Sequence, residues 1–103
     1  MAGSNVWVKS GRVTDLLSNK TTIVTGDWKF KDAPKAAIQV VATAAATVVF
    51  DVSNDGVNAL ATTLGTVTLT GAGSDGFTTD APWKYIRARV TSNSGTVNVT
   101  MSV

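Results

Sequence analysis

The sequence predicts an all-β fold, a sandwich or barrel of about eight short strands separated by turn signals. Three observations predict it. From Trp83 to Val103 apolar and polar residues alternate with a period of two, Ile86, Ala88 and Val90 on one arm and Val97, Val99, Met101 and Val103 on the other. Asn54-Asp55-Gly56, Gly71–Gly76 and Asn93-Ser94-Gly95 supply turn chemistry between strand-like runs. No segment carries a helical apolar stripe.

Length and composition narrow the field. A chain of 103 residues makes one domain and can bury a core without staples. It has neither Cys nor His, which removes disulfides, thiolate metal sites, the commonest general base and the usual switch near neutral pH. Nine Lys and Arg against seven Asp and no Glu leave a net charge of +2, with the basic residues scattered along the chain and only Lys84, Arg87 and Arg89 clustered. Nucleic-acid binding is therefore disfavoured. The opening MAGSNVWVKSG has no signal-peptide pattern, and the longest apolar run, Ala44 to Phe50, is too short to span a bilayer, so no membrane partner is expected.

Taken in order, residues 1–12 form an N-terminal arm or first edge strand, and residues 13–103 the sandwich. Trp7, between Val6 and Val8, either closes the core or anchors the arm on a neighbouring subunit, because buried Trp often dominates interface energetics. Val13 to Leu17 leads through a polar turn into a β-branched run, Thr21 to Thr25. Trp28-Lys29-Phe30-Lys31 alternates aromatic with cationic residues, which predicts Trp28 and Phe30 in the core and both lysines in solvent. A stacking platform for bases or sugars would need the aromatics outward.

After Asp32-Ala33-Pro34, the runs Ala36 to Thr43 and Thr47 to Ser53 read as paired strands joined by a tight Ala-rich connection, covered on both faces or packed at an oligomer contact. Asn54-Asp55-Gly56 ends the second. Leu60 to Leu64 is ambiguous, Thr66 to Thr70 alternates, and Gly71 to Gly76 is expected to be the most flexible internal loop. Phe77 to Asp80 is a short strand before Ala81-Pro82. The last stretch then forms a hairpin with Val90 opposite Val97, Ala88 opposite Val99 and Ile86 opposite Met101, all apolar residues sharing one face.

The chemical motifs resolve mostly into turns. Asp51-Val52-Ser53-Asn54-Asp55-Gly56 has the spacing that begins a calcium loop, but its twelfth position is Thr62 where a Glu is required, so no metal site is assigned. Asp51, Asp55, Asp75 and Asp80 could gather at one end as glycosidase carboxylates, yet Asp in or beside Gly-rich turns is more often a turn former. No Ser-x-x-Lys or phosphate-loop spacing occurs. Gly71-x-Gly73-x-x-Gly76 matches a dinucleotide fingerprint only literally, with no helix after it. Asn19-Lys20-Thr21 and Asn98-Val99-Thr100 match glycosylation sequons by chance in a Thr-rich chain. No catalytic residue and no cofactor is assigned.

One stripe remains. Tyr85, Arg87 and Arg89 should project from one strand face behind Trp83, flanked across the hairpin by Asn98 and Thr100. They form either a solvated face with weak Asp pairs or a docking stripe, since Arg, Tyr and Trp are enriched at interfaces.

From Val48 to Val103 the order of features is a strand ending in Ser53-Asn54-Asp55-Gly56, Leu64-Gly65-Thr66-Val67, a Gly-rich loop, Pro82-Trp83-Lys84-Tyr85-Ile86-Arg87 and Ser94-Gly95-Thr96-Val97. This stretch resembles a broad class of small β-sandwich structural proteins of tailed bacteriophages. The resemblance implies a jelly-roll-like antiparallel β-sandwich without enzymatic activity, serving as a capsid decoration (cement) subunit or as part of a tail or fibre. Similar sequences commonly carry Trp shortly after the Asp-Gly turn, where this chain has Ala59, which weakens a glycan-binding expectation. The expected partner is a major capsid protein and the expected place the capsid surface of the virion, after assembly in the host cytoplasm. A homo-oligomer is expected, with a trimer as one form. Trp7 and Arg12 would contact the shell, and Tyr85, Arg87 and Arg89 would form a second contact stripe.

Overall fold

The computed structural model describes residues 13–31 and 34–103, and these contain nine strands and no helix. They are β1 (Val13–Lys20), β2 (Val24–Thr25), β3 (Lys29–Phe30), β4 (Ala36–Ala42), β5 (Ala46–Ser53), β6 (Gly65–Leu69), β7 (Gly73–Thr79), β8 (Tyr85–Asn93) and β9 (Val97–Ser102). One sheet has the order β1-β9-β4-β7; the other has β2-β8-β5-β6, with β3 also on β8. Every pairing is antiparallel. Because β2 and β3 are two pieces of one interrupted strand, eight strand positions result, and their order is that of a jelly roll.

The terminal hairpin is a correction. β8 and β9 do not pair: β8 lies between β2 and β5, while β9 lies between β1 and β4 in the opposite sheet. The alternation identified the buried residues correctly, since Ile86, Ala88, Val90, Val97, Val99 and Met101 all belong to the core. They meet across the sandwich instead of side by side. Period two specifies which face is dry and says nothing about which strand is the neighbour. The same holds for β4 and β5, which also lie in different sheets.

Turns at one end explain the arrangement. The connection between β4 and β5 bonds to that between β8 and β9, Thr43 N donating to Thr96 O at 3.0 Å and Ser94 N to Ala45 O at 2.9 Å. Asn93 adds the connection between β1 and β2 through its Nδ2, which donates to Lys20 O and Thr22 O. Three crossovers are thus clasped together, and their backbone groups find partners without extending the ladders.

Other departures are local. Gly73 to Gly76 is part of β7, paired residue by residue with β4, and not a flexible loop. In the predicted run Thr21 to Thr25 only Val24 and Thr25 are strand, and Ile23 is exposed. β4 is buried on alternate residues and so covered on one face, whereas β5 is buried continuously from Phe50 to Ser53. A register shift between Asp15 and Leu17 lets both Leu16 and Leu17 enter the core, as a bulge does.

Candidate functional site: the outer face of the five-stranded sheet

The pleat sends Ile86, Ala88 and Val90 inward and therefore Tyr85, Arg87 and Arg89 outward, side by side as the sequence predicts. Their neighbours are not Asn98 and Thr100, which belong to the other sheet. β5 lies on one side instead, with Ser53 opposite Tyr85, Asp51 opposite Arg87 and Val49 opposite Arg89. On the other side Phe30 of β3 is opposite Tyr85 and Thr25 of β2 opposite Arg89.

Asp51 organises this face. Its side chain is only 3% exposed, and its carboxylate accepts from Arg87 Nε at 3.0 Å and from Arg89 Nε and Nη2 at 3.0 and 3.1 Å. Burial would push the Asp51 carboxyl up, but the hydrogen bonds from Arg89 and Arg87, with their charges, hold it below the ordinary carboxylate range. The bond to Asp51 in turn raises the Arg89 guanidinium. Arg87 is fixed a second time, its guanidinium carbon lying 4.6 Å from the centre of the Trp28 ring.

Trp28-Lys29-Phe30-Lys31 is oriented opposite to expectation. Phe30 is 56% exposed and packs edge-to-face on Tyr85 with centroids 5.7 Å apart, Trp28 lies against Arg87, and Lys31 is 3% exposed. The Lys31 Nζ explains the inversion, donating to Pro34 O at 2.6 Å and Ala81 O at 2.7 Å, so it ties together two loops at the far end. Its desolvation pushes the ammonium pKa down, against the charge of Asp80. The alternation is present but its phase is inverted, because a buried lysine with carbonyl partners leaves no composition signal.

The turn after β5 is built by its own polar side chains. The Ser53 hydroxyl donates to Asp55 Oδ1 at 2.6 Å and accepts from Asp55 N and Gly56 N. Asp55 further accepts from Val57 N, Asn58 N and Asn58 Nδ2. The Ser53 hydroxyl and then the Asn58 and Val57 groups hold the Asp55 carboxyl well below its ordinary range. The carboxylates of the calcium-like run are thus engaged by arginines and by the turn. Among the described residues no three acidic side chains converge.

Two concavities lie elsewhere. A shallow groove of about 580 Å³ crosses the end of the other sheet between Lys35, Ala37, Thr78 and Ser102, and a smaller cleft of about 310 Å³ opens between β1 and β2, where Asp27 and Lys29 line it. Neither includes Tyr85, Arg87 or Arg89. Trp7 and Arg12, the expected shell contacts, lie outside the described residues. Trp28, Phe30 and Asp51 are the members of the site that the sequence does not assign to it. An acidic residue inside an apolar strand run, in a chain that also carries an Arg-x-Arg strand, is the signal that points to Asp51.

The fold and this face define a jelly-roll β-sandwich with an outward aromatic and guanidinium surface. No protein family and no curated protein matches the chain by sequence. Among solved structures, the SPBc2 prophage-derived protein YomS superposes with a TM-score of 0.72 at 14% identity, over 96% of this chain and 98% of that one. The likeness establishes the fold.

Proposed function

We propose that the chain is a structural protein of a tailed-phage particle, and within that class a capsid decoration subunit that bridges major capsid proteins. The observation that carries the reading is the outer face of the five-stranded sheet. Trp28, Phe30, Tyr85, Arg87 and Arg89 form one surface whose arginines are locked by a buried carboxylate, as suits a rigid contact patch better than a reacting site. The fold shared with a prophage-derived protein supports the same class. A rigid sandwich laid across a seam must detach before the neighbours separate, and repetition around the shell, or assembly as a homo-oligomer, multiplies a modest affinity. On this reading it is not an enzyme and needs no cofactor.

Copy number in purified particles tests the proposal. Hundreds of copies per particle are expected for a shell subunit, a handful would move it to the tail, and none would overturn it. The outward aromatics favour one alternative, a glycan-binding module of a tail or fibre. That alternative predicts saturable sugar binding by the isolated chain, and a blank glycan array would remove it.

A further inference from the structure

Asp51 does not use up the two arginines it binds. It takes Nε of Arg87 and Nε and Nη2 of Arg89, leaving both Nη groups of Arg87 and Nη1 of Arg89 without a bond to any described residue. Two cations against one anion leave the cluster with a net charge of +1. The other outward positions of this sheet are Thr25, Phe30, Thr47, Val49, Ser53, Thr66, Thr68, Tyr85 and Ser92, none of them acidic. Asp27, next to Trp28 in the chain, lines the cleft beside β1 instead, and the Asp55 carboxylate is held within the turn after β5 by Ser53, Val57 and Asn58.

We propose that Arg87 and Arg89 form a preorganised carboxylate-binding site that receives an acidic segment of a neighbouring virion protein. The two side chains stand two residues apart on one strand, about 7 Å along it, which suits two acidic side chains of an extended partner segment. Holding a guanidinium in advance is what makes its remaining N–H groups effective. Arg87 is fixed by Nε on a buried carboxylate and by its face on Trp28, so little rotamer freedom is lost on binding. Trp28 lies against the Arg87 guanidinium, and Phe30 and Tyr85 follow on the same face, so the pairs made there would be partly desolvated. That the carboxylates belong to a virion protein rests on the function proposed above; the site itself does not.

The test titrates the full chain with hexaglutamate at low salt, against hexaglutamine and trigalacturonate, following backbone amide shifts by NMR. Saturable hexaglutamate binding is expected, weakening with salt and shifting residues of β8, β5 and β3. Arg87→Lys keeps a charge beside Asp51 but removes the planar fork and its stacking, so it should weaken binding about tenfold. Val49→Glu keeps Asp51 and both arginines in the chain but places an anion opposite Arg89 that competes for its free N–H groups, and should weaken binding at least as much. No saturable binding, equal binding of hexaglutamine, preference for trigalacturonate, or affinity unchanged in both folded variants would each overturn the proposal. A chain that binds hexaglutamate normally yet is absent from particles would uphold the site and overturn the virion reading.

Discussion

Arg89 grips Asp51 through two nitrogens, although the residue directly across the ladder from Asp51 is Arg87 and the one across from Arg89 is Val49. The diagonal pair is bidentate and the direct pair uses Nε alone. This division leaves both Nη groups of Arg87 without a bond to Asp51, and the recognition proposed for this face depends on it.

Removing the carboxylate should cost stability. Asp51→Asn leaves two partly buried guanidiniums without a counter-charge. Breaking a buried pair costs several kcal/mol, but with Arg87 24% and Arg89 35% exposed the loss is reduced to about 1–3 kcal/mol. Urea unfolding of the variant and the parent measures the difference.

Acid should act through the same group. The carboxyls of Asp51 and Asp55 titrate lower in the folded chain than in the unfolded one. Their contribution is complete above the unfolded value, near pH 4, and is lost as pH falls through the folded values. Stability should therefore be flat from pH 7 to about pH 5 and decline below about pH 4. In Asp51→Asn the decline should be shallower, which thermal melts across pH will show.

Two glycines should behave oppositely. A Cβ at Gly76 would collide with the carbonyl oxygen of Ile38 on the paired strand β4, so Gly76→Ala must push β7 off the sheet. A loss of about 2 kcal/mol or more is expected, while Gly71→Ala, whose added carbon meets nothing within 4 Å, should stay within about 0.5 kcal/mol. Chemical denaturation of both variants separates local crowding from a general intolerance of change.

The clasp between crossovers is the third mechanical element. Asn93→Ala removes the bonds to Lys20 O and Thr22 O and the acceptor for Gly95 N. Amide exchange should quicken in residues 21–23 and 94–96, with about 1–2 kcal/mol lost globally. Unchanged exchange there would mean that the sheets alone hold the connections.

These elements also mark how far the sequence could be read. Burial of Ile86, Val90, Val97 and Met101 follows from alternation, and the turns at Asn54-Asp55-Gly56 and Asn93-Ser94-Gly95 are where their residues place them. Partner strands were not legible, because β8 and β9 satisfy the same pattern whether they pair or face each other across a core. The outward stripe of Tyr85, Arg87 and Arg89 was legible for the same periodic reason. Its environment was not: Asp51 and Trp28 reach it through non-local pairing, and Lys31 inverts its segment by bonding two carbonyls far apart in sequence.

A photo-crosslinking amino acid at Phe30, compared with one at Gln39 on the outer face of the opposite sheet, tests most directly which surface meets the particle. With chain assembled on purified particles, cross-links to a shell protein should form from position 30 and be absent from position 39. Cross-links from position 39 alone, or from neither position, would contradict the account.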